Sequence, residues 1–213
     1  PGVFERITKG VHDINRIKKA QGVKKPLINL QCTVNKFNYQ QLEQLTAVAR
    51  DLEVNSLTFH NLIFLNRATI ERQQAVDKTL GSSSHEWEGF VFEPGVDPEA
   101  LFNKIAEIKS GQYPFAIDFY PNFSRQGLKD YYQNPDYQPR EYPARCMSPW
   151  IAAYVFPDGE VRPCLNSRYS YGNIQQSSFA QVWNSDQAVA FRNRLKTSHM
   201  FPACSRCTEL YRY

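Results

Sequence analysis

The chain has 213 residues, 42% of them hydrophobic and 22% charged, and a formal net charge of +4. That length supports one ordinary domain plus a smaller one with an interior that needs no disulfide staples, and no apolar run is long enough to cross a bilayer. The lysines and arginines are scattered along helical faces, which argues against nucleic acid as a partner; the densest group, Arg16, Lys18, Lys19, Lys24 and Lys25, reads as a solvated helix end.

The chain starts on Pro1 rather than Met and shows no charged-then-apolar signal layout, so it reads as the start of a fragment, with a cytoplasmic location expected. Phe4, Ile7, Val11, Ile14 and Ile17 recur at helical spacing, which predicts a surface helix over 3–20 with one buried stripe, closed by Gly22 and Pro26. Residues 27–34 read as a largely buried strand in which Cys32 is a small buried hydrophobe. A helix over 39–52, with Leu42, Leu45, Val48, Ala49 and Leu52 on one face, and a second apolar strand over 56–65 continue the rhythm of a parallel α/β layer.

Residues 67–78 read as a helix, and Gly81-Ser82-Ser83-Ser84-His85 as the loop after it. Asp97-Pro98-Glu99 supplies an N-cap, a first-turn proline and a first-turn acid for a helix through Ile108, and 115–120 reads as a third strand. Residues 130–142, rich in tyrosine, asparagine and proline, read as irregular, and the domain boundary is expected there, dividing the chain into 1–128 and 129–213. Beyond it the elements shorten. Pro157-Asp158-Gly159 predicts a β-hairpin between 154–156 and 160–162, and short helices are expected over 179–183 and 188–195.

Four of the five cysteines fall in the last third, which favours metal over a secreted disulfide framework. Cys204-x-x-Cys207 presents two thiols from one tight loop, and the hairpin fixes Cys164 just past its returning strand, near the incoming Cys146. Four soft thiolates in this pattern suit one soft metal site. Spacing alone leaves structural zinc and an iron–sulfur cluster equally open, and Arg145, Arg162 and Arg206 would offset thiolate charge around either.

The run Cys146-Met147-Ser148-Pro149-Trp150, then residues 154–164, then Tyr171-Gly172-Asn173-Ile174, Phe179, Val182-Trp183-Asn184-Ser185, Phe191-Arg192 and the closing C-x-x-C resembles the twitch or SPASM module that follows the barrel in many radical S-adenosylmethionine (SAM) enzymes. The stretch Pro1-Gly2-Val3-Phe4-Glu5-Arg6-Ile7 resembles the helix after the fourth strand of the radical SAM core, and 29–35 and 57–64 its fifth and sixth strands. The resemblance implies a partial TIM-like barrel followed by a small α+β twitch/SPASM-type domain. It also implies an auxiliary [4Fe–4S] cluster held by Cys146, Cys164, Cys204 and Cys207 for electron transfer. The one-cluster twitch version fits a chain that ends at Tyr213 without the further cysteines of a second cluster.

The parent implied is an iron–sulfur oxidoreductase or modifying enzyme acting with SAM, a reductant such as flavodoxin or ferredoxin, and a small-molecule or peptide substrate. The C-x-x-x-C-x-x-C loop of the SAM cluster is missing, so this chain alone is expected to be inactive and to self-associate through the edge where its barrel is cut. His60, Asn35 and Asn61, toward strand C-termini where barrel sites gather, are candidate liners of the SAM or substrate cleft; for His60 a core histidine is the alternative. The rival reading from another class is a zinc-stabilised structural or interaction domain without activity.

Overall fold

The computed structural model describes residues 2–83 and 85–212, so Pro1 of the barrel-helix resemblance, Ser84 of the expected loop and the terminal Tyr213 lie outside the described residues. The chain forms two compact units, one from 1–62 with 94–128 and the other from 63–93 with 129–213.

In the first unit, three parallel strands, β1 (Asn29–Thr33), β2 (Ser56–His60) and β3 (Ala116–Tyr120), stand in the order β1-β2-β3, with Cys32 opposite Phe59 and Phe59 opposite Phe119. Phe59 and Phe119 stack at 4.8 Å between ring centroids, and Leu57 of β2 is buried with them, as are Leu42, Ala49 and Leu52 of the helical segment between β1 and β2. Helix α2 (Glu43–Asp51) links β1 to β2, so these two strands lie side by side and parallel as the βαβ reading requires. Before β3 comes α4 (Pro98–Ser110), where Asp97 Oδ1 accepts from the Glu99 amide at 2.9 Å and Pro98 occupies the first turn, as the sequence predicts.

Two expectations are corrected here. Helix α1 covers Val3–Ala20 as predicted, but its apolar stripe is not buried: Phe4 is 58% exposed and Ile7 53%. The buried residues of α1 are Asn15 and Lys18, and Asn15 Nδ2 donates to the Leu52 carbonyl at 2.8 Å, so the helix is seated on a polar face. Residues 27–34 are not a largely buried strand either. β1 is shorter and is an edge strand whose residues alternate between exposed and half-buried, and Cys32 is half-buried rather than core.

In the second unit, α3 (Arg67–Leu80) starts on Asn66, whose side chain accepts from Thr69, and stops at Gly81 with φ +63°. A 3-10 turn over His85–Phe90 follows, starting at the last residue of the stretch read as a loop. Helix α5 (Arg125–Gln133) runs across the boundary between the units; it takes in residues 130–133, which the sequence reading left irregular. The hairpin is present as β4 (Tyr154–Val155) and β5 (Glu160–Arg162), and a strand with no counterpart in the reading, β6 (Gly172–Asn173), pairs with β5. Between α5 and the hairpin lies the four-residue α6 (Ser148–Ile151), and α7 (Phe179–Trp183) and α8 (Asp186–Ser198) complete the unit. Ser178 and Gln181 form a capping box at the start of α7. Val161, Tyr171, Val182, Ala188, Phe191, Leu195 and Phe201 make the core.

Candidate metal centre

The four cysteines arrive from three separated stretches of the second unit. Cys146 precedes α6, Cys164 follows β5, and Cys204 and Cys207 lie in and just after a 3-10 turn over Pro202–Arg206. The hairpin turn depends on Gly159 at φ +84°, where a β-carbon would stand 2.6 Å from Asn173 Oδ1. The Cys146 amide donates to the His199 carbonyl at 3.1 Å, which ties the first cysteine to the end of α8, and the Cys207 amide closes the C-x-x-C turn on the Cys204 carbonyl at 3.0 Å. Cys146, Cys164 and Cys204 share one cavity with Gln73, Asp77, Trp87, Phe191 and Phe201.

All five cysteines are free thiols. Burial, together with the Cys207 and Cys146 thiols, pushes Cys164 up to about 12. Burial and then the other three thiols hold Cys204 well above the usual range, and burial, with Cys146 and Glu209 behind it, raises Cys207 to about 11. Cys146 is raised chiefly by burial as well. Cys146, Cys164 and Cys207 thus all raise Cys204, and four thiolates cannot share such a site unless positive charge sits among them. That is the chemistry of a donor set for a soft metal centre, so the residues fit an iron–sulfur cluster. Among the described residues no three His, Cys, Asp or Glu side chains form a group suited to one metal ion.

Arg206 departs from the role read for it. It is only 2% exposed and lies between the two cysteines of the loop, yet the influences on the thiols are burial, one another, Glu209 and backbone amides. Its Nε donates to the Tyr131 carbonyl at 2.9 Å and its Nη2 to the Asn134 carbonyl at 2.7 Å, while the Phe64, Tyr137 and Tyr131 rings lie 4.3 to 5.5 Å from the guanidinium carbon. Arg162 is engaged by Glu160 and, at 3.5 Å, by Glu86. Sequence reasoning missed Gln73, whose Oε1 accepts from the Ala203 amide at 3.1 Å and so braces the C-x-x-C turn from α3; no motif marks a glutamine far upstream as a partner of that turn.

The other candidates lie in the first unit. His60 ends β2, half-buried, its ring edge-on to Tyr120 at 5.8 Å, and burial lowers its pKa with Asp118 opposing. Among the described residues its buried Nε2 has no hydrogen-bond partner. Asn61 is buried and donates to the Pro121 carbonyl at 2.9 Å. Asn35 shapes the turn after β1, accepting from the Phe37 amide at 2.9 Å and donating to the Thr33 carbonyl.

Residues 146–208 match SPASM, an iron–sulfur cluster-binding domain. The chain is 21% identical, over 209 aligned positions, to the tungsten-containing aldehyde ferredoxin oxidoreductase cofactor-modifying protein of Pyrococcus furiosus; the alignment covers 91% of this chain and 49% of that protein. The crystal structure of Streptococcus suis SuiB superimposes with a TM-score of 0.52 at 11% identity, covering 96% of this chain and 44% of that one, a likeness of fold. The chain therefore spans about half the length of the relatives it matches. The resemblance carried by the cysteine motif is borne out.

Proposed function

We propose that this chain, a radical SAM protein with a SPASM domain, is part of a modifying enzyme in which Cys146, Cys164, Cys204 and Cys207 hold one auxiliary [4Fe–4S] cluster for electron transfer. The observation that carries the reading is the arrival of Cys146, Cys164 and Cys204, from three separated stretches, at one cavity, with Cys207 closing its turn on the Cys204 carbonyl at 3.0 Å. Bound there, a cluster accepts and passes one electron at a time. With all four irons ligated by cysteine, none is left open to bind substrate, which favours relay over Lewis-acid chemistry. The residues around it brace the thiols and keep water out: Gln73 and Arg206 hold the C-x-x-C turn, and Phe191 and Phe201 line the cavity.

In this reading the three-stranded sheet belongs to a partial TIM-like barrel contributed by residues 1–128, and 129–213 is the auxiliary-cluster domain. His60, Asn35 and Asn61, at or just past the C-terminal ends of β1 and β2, lie on the side where barrel enzymes place their cofactor and substrate. The exposed apolar stripe of α1 and the open edge of β1 suit a surface that a preceding strand–helix unit covers in a longer barrel, and isolated chains are expected to self-associate there. The SAM cluster itself, whose cysteine loop this chain does not contain, would come from elsewhere, so the chain alone is inactive in radical chemistry. A cofactor-modifying reaction, in the sense of the Pyrococcus furiosus relative's name, is the activity we assign to the whole protein.

The test is the iron, sulfide and zinc content of anaerobically reconstituted protein, beside Cys204→Ala and Cys207→Ala variants. About four iron and four sulfide per chain, lost in the variants, is the expected result. About one zinc and no sulfide would replace this reading with a structural zinc domain.

A further inference from the structure

The 3-10 turn that carries Cys204 begins without a local cap. Phe201 precedes it with no side-chain acceptor, and Pro202 opens it with no N–H, so the Ala203 amide is the first donor left over. The Cys204 amide is satisfied close by, at the Phe201 carbonyl, 2.9 Å away. The Ala203 amide is served instead from α3, by Gln73 Oε1 at 3.1 Å. The other end of the same side-chain amide, Nε2, donates to Asp77 Oδ1 at 2.9 Å. A backbone N–H only donates and a carboxylate only accepts, so the two partners together select one orientation of the Gln73 amide. Turned over, it would set N–H against N–H and oxygen against oxygen. Gln73 and Asp77 are four positions apart on one helix, both are buried, and both line the cavity that Cys146, Cys164 and Cys204 share.

The placement of Asp77 is costly in itself. It lies in the last turn of α3, where the carbonyl end of the helix repels a negative charge, and it is only 7% exposed. We propose that Asp77 is a positioning residue of the cluster site: it holds Gln73 in the orientation that caps the cysteine turn, and so slows loss of a bound cluster. The proposal rests on the cluster reading above. Asp77 acts through Gln73 and is not a ligand, in the way that groups orienting the first ring of ligands govern how firmly a site keeps its metal.

Iron release to a chelator is followed in anaerobically reconstituted wild type, Asp77→Ala, Asp77→Asn, Gln73→Glu and the exchanged pair Gln73→Glu/Asp77→Asn. Hydrogen exchange of the Ala203 amide is measured in the cluster-free chains beside it. Asp77→Ala is expected to release iron about 10–100-fold faster than wild type and to expose the Ala203 amide to faster exchange. Asp77→Asn keeps an acceptor oxygen at the same reach and recovers most of both. Gln73→Glu sets two carboxylates against each other and releases iron fast; adding Asp77→Asn restores a donor opposite the introduced acceptor at unchanged net charge, and slows release again. Iron release or Ala203 exchange at the wild-type rate in Asp77→Ala overturns the proposal. If Asp77→Ala does not fold, the exchanged pair decides, and a pair no slower than Gln73→Glu alone overturns it equally. A wild type that takes up neither iron nor sulfide overturns the reading beneath, while exchange of the Ala203 amide still decides whether Asp77 holds the turn.

Discussion

Replacing Arg206 by methionine tests how the C-x-x-C turn is anchored. In an α-helix the Tyr131 carbonyl would accept from the residue four positions on, but that residue is Pro135, which has no N–H; Arg206 Nε takes the place of the missing donor at 2.9 Å. The Asn134 carbonyl keeps the Tyr137 amide when the guanidinium is gone. Truncation therefore removes two bonds from a charged donor, about 1.5–3 kcal/mol each, and leaves one buried carbonyl less well satisfied. Against this stands relief of the cost of burying a guanidinium for which no carboxylate partner is found among the described residues, several kcal/mol of opposite sign. The stacking of the Phe64, Tyr131 and Tyr137 rings on the cation adds about 1–2 kcal/mol to the loss. The net expectation for Arg206→Met is a destabilisation of about 2–4 kcal/mol, read as the shift in urea midpoint of the cluster-free protein followed by tyrosine fluorescence. Arg206→Lys, which keeps the charge but not the fork that reaches two carbonyls, should recover less than half of it. A methionine variant within about 0.5 kcal/mol of wild type would refute the anchoring argument.

Three further expectations follow from particular groups. Burial holds the His60 pKa below its ordinary 6.5, so the folded chain binds that proton more weakly than the unfolded one; stability is full above about pH 6.5 and falls as the pH drops below it, and His60→Gln should flatten the difference in urea midpoint between pH 7.5 and 5.5, parallel curves counting against it. Gly159→Ala forces a side chain into left-handed backbone against Asn173 and Gln175, with an expected cost of roughly 1–3 kcal/mol in chemical denaturation, and a variant as stable as wild type would show that the hairpin turn relaxes freely. In the cluster-free chain at pH 8, a pKa of about 11 leaves Cys207 about one part in a thousand thiolate, and one of about 12 leaves Cys164 about one in ten thousand. Alkylation of both, mapped by mass spectrometry, should be slow and quicken about tenfold per pH unit, whereas rapid labelling at pH 8 would contradict their burial.

The helix and strand pattern was legible wherever local chemistry and packing agree: the Asp97-Pro98-Glu99 start of α4, the Pro157-Asp158-Gly159 hairpin and the span of α7 all stand where the residues place them. The cysteine spacing and the residues around it pointed to the stretch that matches the SPASM domain. What escaped depends on partners distant in sequence. The stripe of Phe4, Ile7, Ile14 and Ile17 has helical periodicity whether or not anything covers it, so periodicity correctly gives the helix and cannot tell which face is seated. Arg206 reads as a cation beside thiolates until Pro135 is seen to leave a carbonyl that it must serve. β6 has only two residues, Gly172 and Asn173, and is held by the register of β5 rather than by any propensity of its own.

The second unit is assembled from 63–93 and 129–213, so the chain passes between the units three times, after residues 62, 93 and 128. During synthesis Gln73 leaves the ribosome well over a hundred residues before the Ala203 amide it will bind, and it waits with its carbonyl group unengaged while the rest of the first unit is made. The bond from Gln73 to the cysteine turn is thus among the last contacts that can form during synthesis. In a gene-shuffling event, residues 129–213 moved alone would leave behind Gln73 and Trp87, two walls of the cavity. A shorter heritable piece would carry all four thiols and lack part of the lining of the cavity that three of them share.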